Sequence, residues 1–143
     1  MSQTTDALTV ALAAENAAIF AYGVVAAYAA SSRSQTIAEY TAEHRSRREE
    51  LVAALTAAQA EVPAAAAGYD LSAPITDPAS ALTVALTAEE DCAVAYRALI
   101  EQAEDVGARR LGLDGLTDSA GRAANWRLVL RISPVTVALP GSA

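Results

Sequence analysis

The chain has 143 residues, 53% hydrophobic and 19% charged, which excludes a disordered chain and predicts one compact domain. Its formal net charge of -7, with every basic residue an arginine, excludes the basic surface that nucleic acids and anionic membranes require. The single cysteine, Cys92, excludes an internal disulfide, and the single histidine, His44, limits histidine chemistry to one position.

The N-terminal segment lacks the basic stretch followed by an apolar stretch that marks a secretory leader. Residues 7–30 are apolar enough to suggest a membrane span, but Glu15 and Asn16 lie at the centre of this segment. Because a charge at that depth is costly in lipid, the segment is not expected to cross a membrane. The sequence therefore predicts a soluble, cytoplasmic protein.

Four helices are predicted from apolar residues spaced three and four apart. They cover about residues 6–30, 35–60, 77–107 and 117–131. Ser34 is the expected N-cap of the second helix, and Asp77 followed by Pro78 marks the start of the third. Gly107 is expected to end the third helix. A long connection containing prolines separates the second helix from the third.

An internal repeat gives the strongest indication of the architecture. The segments ALTVALAAENAAIFAY (residues 7–22) and ALTVALTAEEDCAVAY (residues 81–96) are identical at ten of sixteen positions without a gap. This repeat indicates two copies of a helical hairpin joined by the long connection. The expected fold is an all-α, ferritin-like antiparallel four-helix bundle over residues 1–132, followed by a C-terminal tail over residues 133–143.

The repeat places Glu15 and Glu89 at matching positions on the apolar faces of the first and third helices. His44 lies on the corresponding face of the second helix. A buried carboxylate without a partner costs several kcal/mol, so each glutamate requires a metal, a cation or a shared proton. These three residues are the candidate functional site.

The segments AAENAAIFAYG, AEHRSRRE and AEEDCAVAY carry these three residues and resemble the ferritin-like superfamily. They are more closely similar to an actinobacterial ferritin-like family of unknown function, DUF4439, over about residues 6–131. The resemblance implies a metal site in which two helices each supply one glutamate and two supply Glu-x-x-His. Glu15, Glu89 and His44 match this pattern, but Thr41 replaces the glutamate three residues before His44, and the fourth helix has no histidine. The implied metal site is therefore degenerate. The main expectation is that the protein binds no cofactor, and iron or manganese is the possible alternative.

Arg127, on the inward face of the fourth helix, supports a structural alternative. It could neutralise the two glutamates in a buried ionic cluster with His44, giving a bundle with a non-catalytic structural or interaction role. The other hypotheses are an atypical redox protein with one metal on Glu15, His44 and Glu89, and a proton-transfer or small-molecule pocket. A homodimer is possible, a protein partner is not identified, and whether the protein is an enzyme stays open.

Other polar features have structural interpretations. The second helix carries a run of charges that is expected to form a solvated face with two ion pairs, Glu43–Arg47 and Arg45–Glu49. Cys92 is expected to be a buried, inert thiol. Gly23 lies inside the first helix, where glycine costs about 1 kcal/mol relative to alanine.

Overall fold

The computed structural model describes residues 2–142, and within this range the chain forms four α-helices and no strand. The helices are α1 (Gln3–Tyr28), α2 (Ser34–Ala57), α3 (Pro78–Gln102) and α4 (Val106–Leu130). A short 3-10 turn, Ser31–Arg33, joins α1 to α2. The predicted all-α four-helix bundle is confirmed.

The two hairpins pack against each other through α1 and α3, which run antiparallel. The backbone N–H of Glu104, just after α3, donates to the side chain of Thr4 at the start of α1. Midway along the same interface, the Cys92 thiol lies against the carbonyl of Ala14. The connection over residues 58–77 runs back along the bundle, so that α2 and α3 are parallel. Contact between α2 and α4 is sparse, which leaves that side of the bundle to be closed by long side chains.

Side-chain caps set the helix starts. Asp77 caps α3 and forms a capping box with Ser80, as predicted from Asp77 and Pro78. Ser34, the predicted N-cap of α2, lies inside that helix, because the preceding 3-10 turn runs directly into it. The Asp105 side chain accepts a hydrogen bond from the backbone N–H of Ala108 and so starts α4.

The prediction that α3 ends at Gly107 and that α4 starts near residue 117 is wrong. The break falls at residues 103–105, and Gly107 lies in the first turn of α4. The added N-terminal turns of α4 contain Gly112 and Gly115, which let this helix approach α3 closely. A Cβ on Gly115 would overlap the ring of Tyr96, and one on Gly112 would lie 2.9 Å from Ile100 Cγ1.

The interior consists of two apolar clusters with a polar layer between them. One cluster contains Leu8, Leu12, Leu51, Leu55 and Leu99. The other contains Val25, Ile37, Leu82, Leu86 and Trp126. Burial of these side chains supplies most of the driving force for folding.

The segment after α4 folds back onto the second hairpin. Arg131, in the left-handed region with φ 58°, ends α4, and the segment that follows contacts α4 at Arg127 and α3 at Ala93 and Arg97. Gly141 packs on the carbonyl of Ala93, where a Cβ would not fit. Arg97 donates a hydrogen bond to the carbonyl of Pro140.

Among the described helices, α1 alone is long and apolar enough to meet the length and composition of a membrane span. Its apolar window is 44% buried inside the bundle, and Glu15 and Asn16 are both buried there. These are features of the core helix of a compact, soluble-like domain. A cytoplasmic location stays a prediction.

Candidate functional site: a buried charge cluster

Three helices bring the predicted residues Glu15, His44 and Glu89 together at the centre of the bundle. His44 Nδ1 lies 2.6 Å from Glu15 Oε2, and His44 Nε2 lies 2.9 Å from Glu89 Oε1. All three side chains are completely buried. The imidazole ring thus bridges the carboxylates of the two repeats through both of its nitrogens.

The repeat also places a tyrosine from each copy on the glutamate of the other copy. The Tyr22 hydroxyl donates to Glu89 at 3.1 Å, and the Tyr96 hydroxyl donates to Glu15 at 2.5 Å. Trp126 continues this network, because its indole N–H donates to the Tyr22 hydroxyl at 2.8 Å. The cross-bonding follows from the antiparallel packing of α1 and α3, which sets each tyrosine beside the partner glutamate.

The arginine that enters the cluster is Arg122. Its Nε donates to both oxygens of Glu89, at 2.8 and 3.0 Å, and its side chain is only 4% exposed. A terminal nitrogen of Arg122 also donates to Glu43 at 2.8 Å, at the half-exposed edge of the cluster.

The prediction that Arg127 neutralises Glu15 and Glu89 is wrong. Its guanidinium donates to Glu90, at 3.1 Å, and to the carbonyl of Val135. Both partners lie outside the cluster. Successive helical residues are rotated by about 100°, so Arg127 is turned away from the face that Trp126 presents to the core.

The local electric field fixes the charge of His44. Burial acts to lower the pKa of His44, but the hydrogen bonds and charges of Glu15 and Glu89 outweigh burial and raise it to about 9. The ring is therefore an imidazolium at neutral pH. Burial likewise acts to lower the pKa of Arg122, but Glu89 and Glu43 raise it above its ordinary value.

The cluster is electrically balanced and saturated with hydrogen bonds. Among the buried groups, the two positive charges of His44 and Arg122 balance Glu15 and Glu89, and Glu43 adds one negative charge at the half-exposed edge. Within residues 2–142, every buried side-chain nitrogen and oxygen has a hydrogen-bond partner. A polar network in the core is stable when all of its groups are satisfied, and this network meets that condition.

The neighbouring hydroxyls and thiol retain their protons. Burial and the charge of Glu89 raise the pKa of Tyr22 well above its usual value, and burial and Glu15 do the same for Tyr96. Burial, followed by the charge of Glu15, also raises the pKa of Cys92. These groups therefore act as hydrogen-bond donors at neutral pH. The expectation of a buried thiol at Cys92 agrees with its complete burial.

A group of possible metal ligands includes one residue that the sequence argument missed. Glu15, His44 and Cys92 each offer one ligand atom, and these atoms lie within 4.8 Å of one another. The group could hold a metal ion. Both nitrogens of His44 are bonded to carboxylates, so a metal on this ring would have to displace one of these contacts, and the Cys92 thiol would have to lose its proton.

The charges of α2 close the open side of the bundle instead of forming only a solvated face. Neither of the expected ion pairs, Glu43–Arg47 and Arg45–Glu49, is formed. Arg47 reaches across to Asp118 of α4 at 2.7 Å, and Glu43 pairs with Arg122. These long side chains bridge the gap because the α2 and α4 backbones barely touch.

The comparisons with known proteins agree with this architecture. A family model described as a domain of unknown function, DUF4439, matches residues 7–143. The chain belongs to the DUF4439 family. The resemblance deduced from the three motif segments is thus confirmed at the level of that family.

A crystal structure similar to this DUF4439 protein is that of a conserved hypothetical protein, rv2844, from Mycobacterium tuberculosis. The two share 37% sequence identity over 96% of this chain and 97% of that one, with a TM-score of 0.88. No curated protein matches the DUF4439 chain.

Proposed function

We propose that this DUF4439 protein is a non-catalytic helical bundle in which a buried ionic cluster replaces a metal centre. Its role is structural or interactive, and it acts through its surface. The single observation that carries this proposal is the guanidinium of Arg122, nearly completely buried and bound to both oxygens of Glu89. An arginine keeps its charge at any physiological pH, so it supplies a permanent cation where a metal would otherwise be required.

The arrangement of the two hairpins supports the proposal. Arg122 faces Glu89 in the second hairpin as His44 faces Glu15 in the first. Three residues before each of them stands a hydroxyl residue, Thr41 or Ser119, where the ferritin-like pattern has a glutamate. The second hairpin thus has neither the histidine nor the carboxylate that a second metal would need.

One observation favours a second candidate, an atypical metal-dependent redox protein. The Glu15, His44 and Cys92 ligand atoms are close enough to share an ion once their protons leave. A ligand set with thiolate, imidazole and carboxylate suits iron or zinc better than manganese. Iron is therefore the metal to seek if this alternative holds.

Metal analysis of protein purified without an affinity tag distinguishes the two candidates. We expect much less than one metal ion per chain, and a melting temperature that a chelator does not change. One iron per chain that is lost in His44→Ala but retained in Arg127→Met would favour the redox protein. Arg127→Met is a suitable control because it also removes an arginine from α4, but one that lies outside the cluster.

The proposed surface role includes what the composition predicts about partners. The net charge of -7 makes nucleic acids and anionic membranes poor partners, because they carry the same sign of charge. It is compatible with a cytoplasmic protein. A homodimer is one form that the surface role could take. Light scattering of the purified chain measures its mass in solution and decides between monomer and dimer.

A further inference from the structure

A groove between α1 and α2 lies outside the charge cluster and has a volume of about 290 Å³. Residues of both helices line it: Gly23, Ala26, Ile37, Ala38, Thr41 and Arg45. The walls are mostly apolar, and Arg45 is the only charged residue among the lining residues. The groove therefore combines an apolar slot with one positive end.

Gly23 lines the groove without a side chain. It lies in the interior of α1 with an ordinary helical φ, and a Cβ at this position would meet nothing within 4 Å. Neither backbone conformation nor close packing requires a glycine there, yet glycine costs about 1 kcal/mol relative to alanine in a helix. The space next to Gly23 is therefore open to a ligand.

Arg45 is available to a ligand. Within residues 2–142 its guanidinium makes no ion pair or side-chain hydrogen bond, and the expected partner Glu49 bonds to Arg48 instead. Arg47, two residues further along α2, is held by Asp118 and Glu50. Acidic residues outnumber basic ones in this chain, yet Arg45 has no carboxylate partner. Because Arg45 lies at the end of an apolar slot, its guanidinium complements an anion.

We propose that this groove binds a small organic anion, a carboxylate with a short aliphatic chain. The carboxylate pairs with the fork of Arg45, and the chain lies over Gly23 against Ala26 and Ala38. A groove between α1 and α3 provides an internal contrast. It has a volume of about 170 Å³ and is lined largely by alanine, but Asp70 and Asp91 are its charged lining residues, so it should not attract the same anion.

Titration of hexanoate into the ¹⁵N-labelled full chain, at constant ionic strength, tests the proposal by NMR. We expect saturable shifts of the amide signals of Gly23, Ala38 and Arg45, without comparable shifts at Ala17 in the contrasting groove. Hexylammonium at the same concentrations should leave the α1–α2 groove unshifted. Failure of hexanoate to saturate, or equal shifts with hexylammonium, would overturn the assignment of an anion site.

Two variants and two matched controls locate the binding. Arg45→Gln should weaken hexanoate binding about tenfold, the scale of a charged hydrogen bond, and Gly23→Leu should abolish saturation by filling the slot. Arg33→Gln removes a partly buried arginine that does not line the groove, and Gly121→Leu adds a side chain where a Cβ also meets nothing, so both should retain wild-type binding. Equal losses in Arg33→Gln and Arg45→Gln would show that general charge attracts hexanoate, which contradicts the proposal.

Discussion

Replacing Arg122 with methionine removes the only arginine that contacts the buried glutamates. Arg122→Met deletes the bifurcated hydrogen bond from the Nε–H group to both oxygens of Glu89, one hydrogen bond to Glu43 and a longer one to the Ser119 hydroxyl. Methionine keeps much of the apolar stem, so the change isolates the charge. The variant is left with two buried carboxylates and one imidazolium.

The expected loss of stability is about 3–5 kcal/mol at pH 7, the cost of removing one partner from a buried ion pair. With a urea m-value of about 2 kcal/mol per M for a chain of this size, the urea midpoint should fall by about 2 M.

Arg127→Met provides the matched control for this experiment. Arg127 belongs to the same helix, but it pairs with the half-exposed Glu90, and such pairs contribute less than about 1 kcal/mol. Urea unfolding of both variants at pH 7, followed by circular dichroism, gives the comparison. Equal midpoints for Arg122→Met and Arg127→Met at pH 7 would refute the reasoning.

Three further predictions concern the cluster and the packing around it. Because the folded-state pKa of His44 is raised from 6.5 to about 9, its contribution to stability is complete below pH 6.5 and is lost as pH rises through 9. The free energy of unfolding should therefore fall by about 2 kcal/mol between pH 7 and 9.5, which lowers the urea midpoint by about 1 M, and His44→Gln should remove this fall. Gly115→Ala should lower the stability of the fold by about 1–3 kcal/mol, because the added Cβ displaces Tyr96. Gly121→Ala has open space around it and should raise the stability by up to about 1 kcal/mol. Thermal melts of the two variants test this pair of predictions. Tyr22→Phe leaves the Trp126 indole and a glutamate each without one partner, so calorimetry should show a loss of roughly 2–3 kcal/mol, and a neutral result would contradict the hydrogen-bond network.

The four-helix architecture could be predicted from the sequence, because the repeat and the helix caps can be recognised without knowing how the helices pack. Ten identities in register placed Glu15 and Glu89 at equivalent points of α1 and α3. Asp77 and Pro78 define a helix start through a few neighbouring atoms. Such features do not depend on how the helices finally pack.

The errors arose where tertiary packing decides. The expectation that Gly107 ends a helix is wrong because the side chain of Asp105, two residues earlier, caps α4. The buried face of α4 contains Ser119, Arg122 and Trp126, and the apolar spacing alone does not separate this face from Arg127. The α2 ion pairs failed for a related reason, since partners on α4 compete with those on the same helix.

Cys92 shows a different limit of the sequence argument. Its burial could be predicted from the apolar face of the third helix, but its proximity to Glu15 and His44 depends on the distance between helices. The exchange of tyrosines between the repeats has the same origin. The residue types could be recognised from the sequence, and only the packing determined which of them meet.

In the proposed function, the protonated His44 and Arg122, and no metal ion, neutralise the buried glutamates. The chain has one histidine, so long-range ¹H–¹⁵N NMR spectra of its imidazole contain signals from His44 alone. Both Nδ1 and Nε2 should carry protons at pH 7, and the ring should lose its charge only near pH 9. A neutral ring at pH 7 with one nitrogen bound to a stoichiometric metal ion would contradict the proposed function.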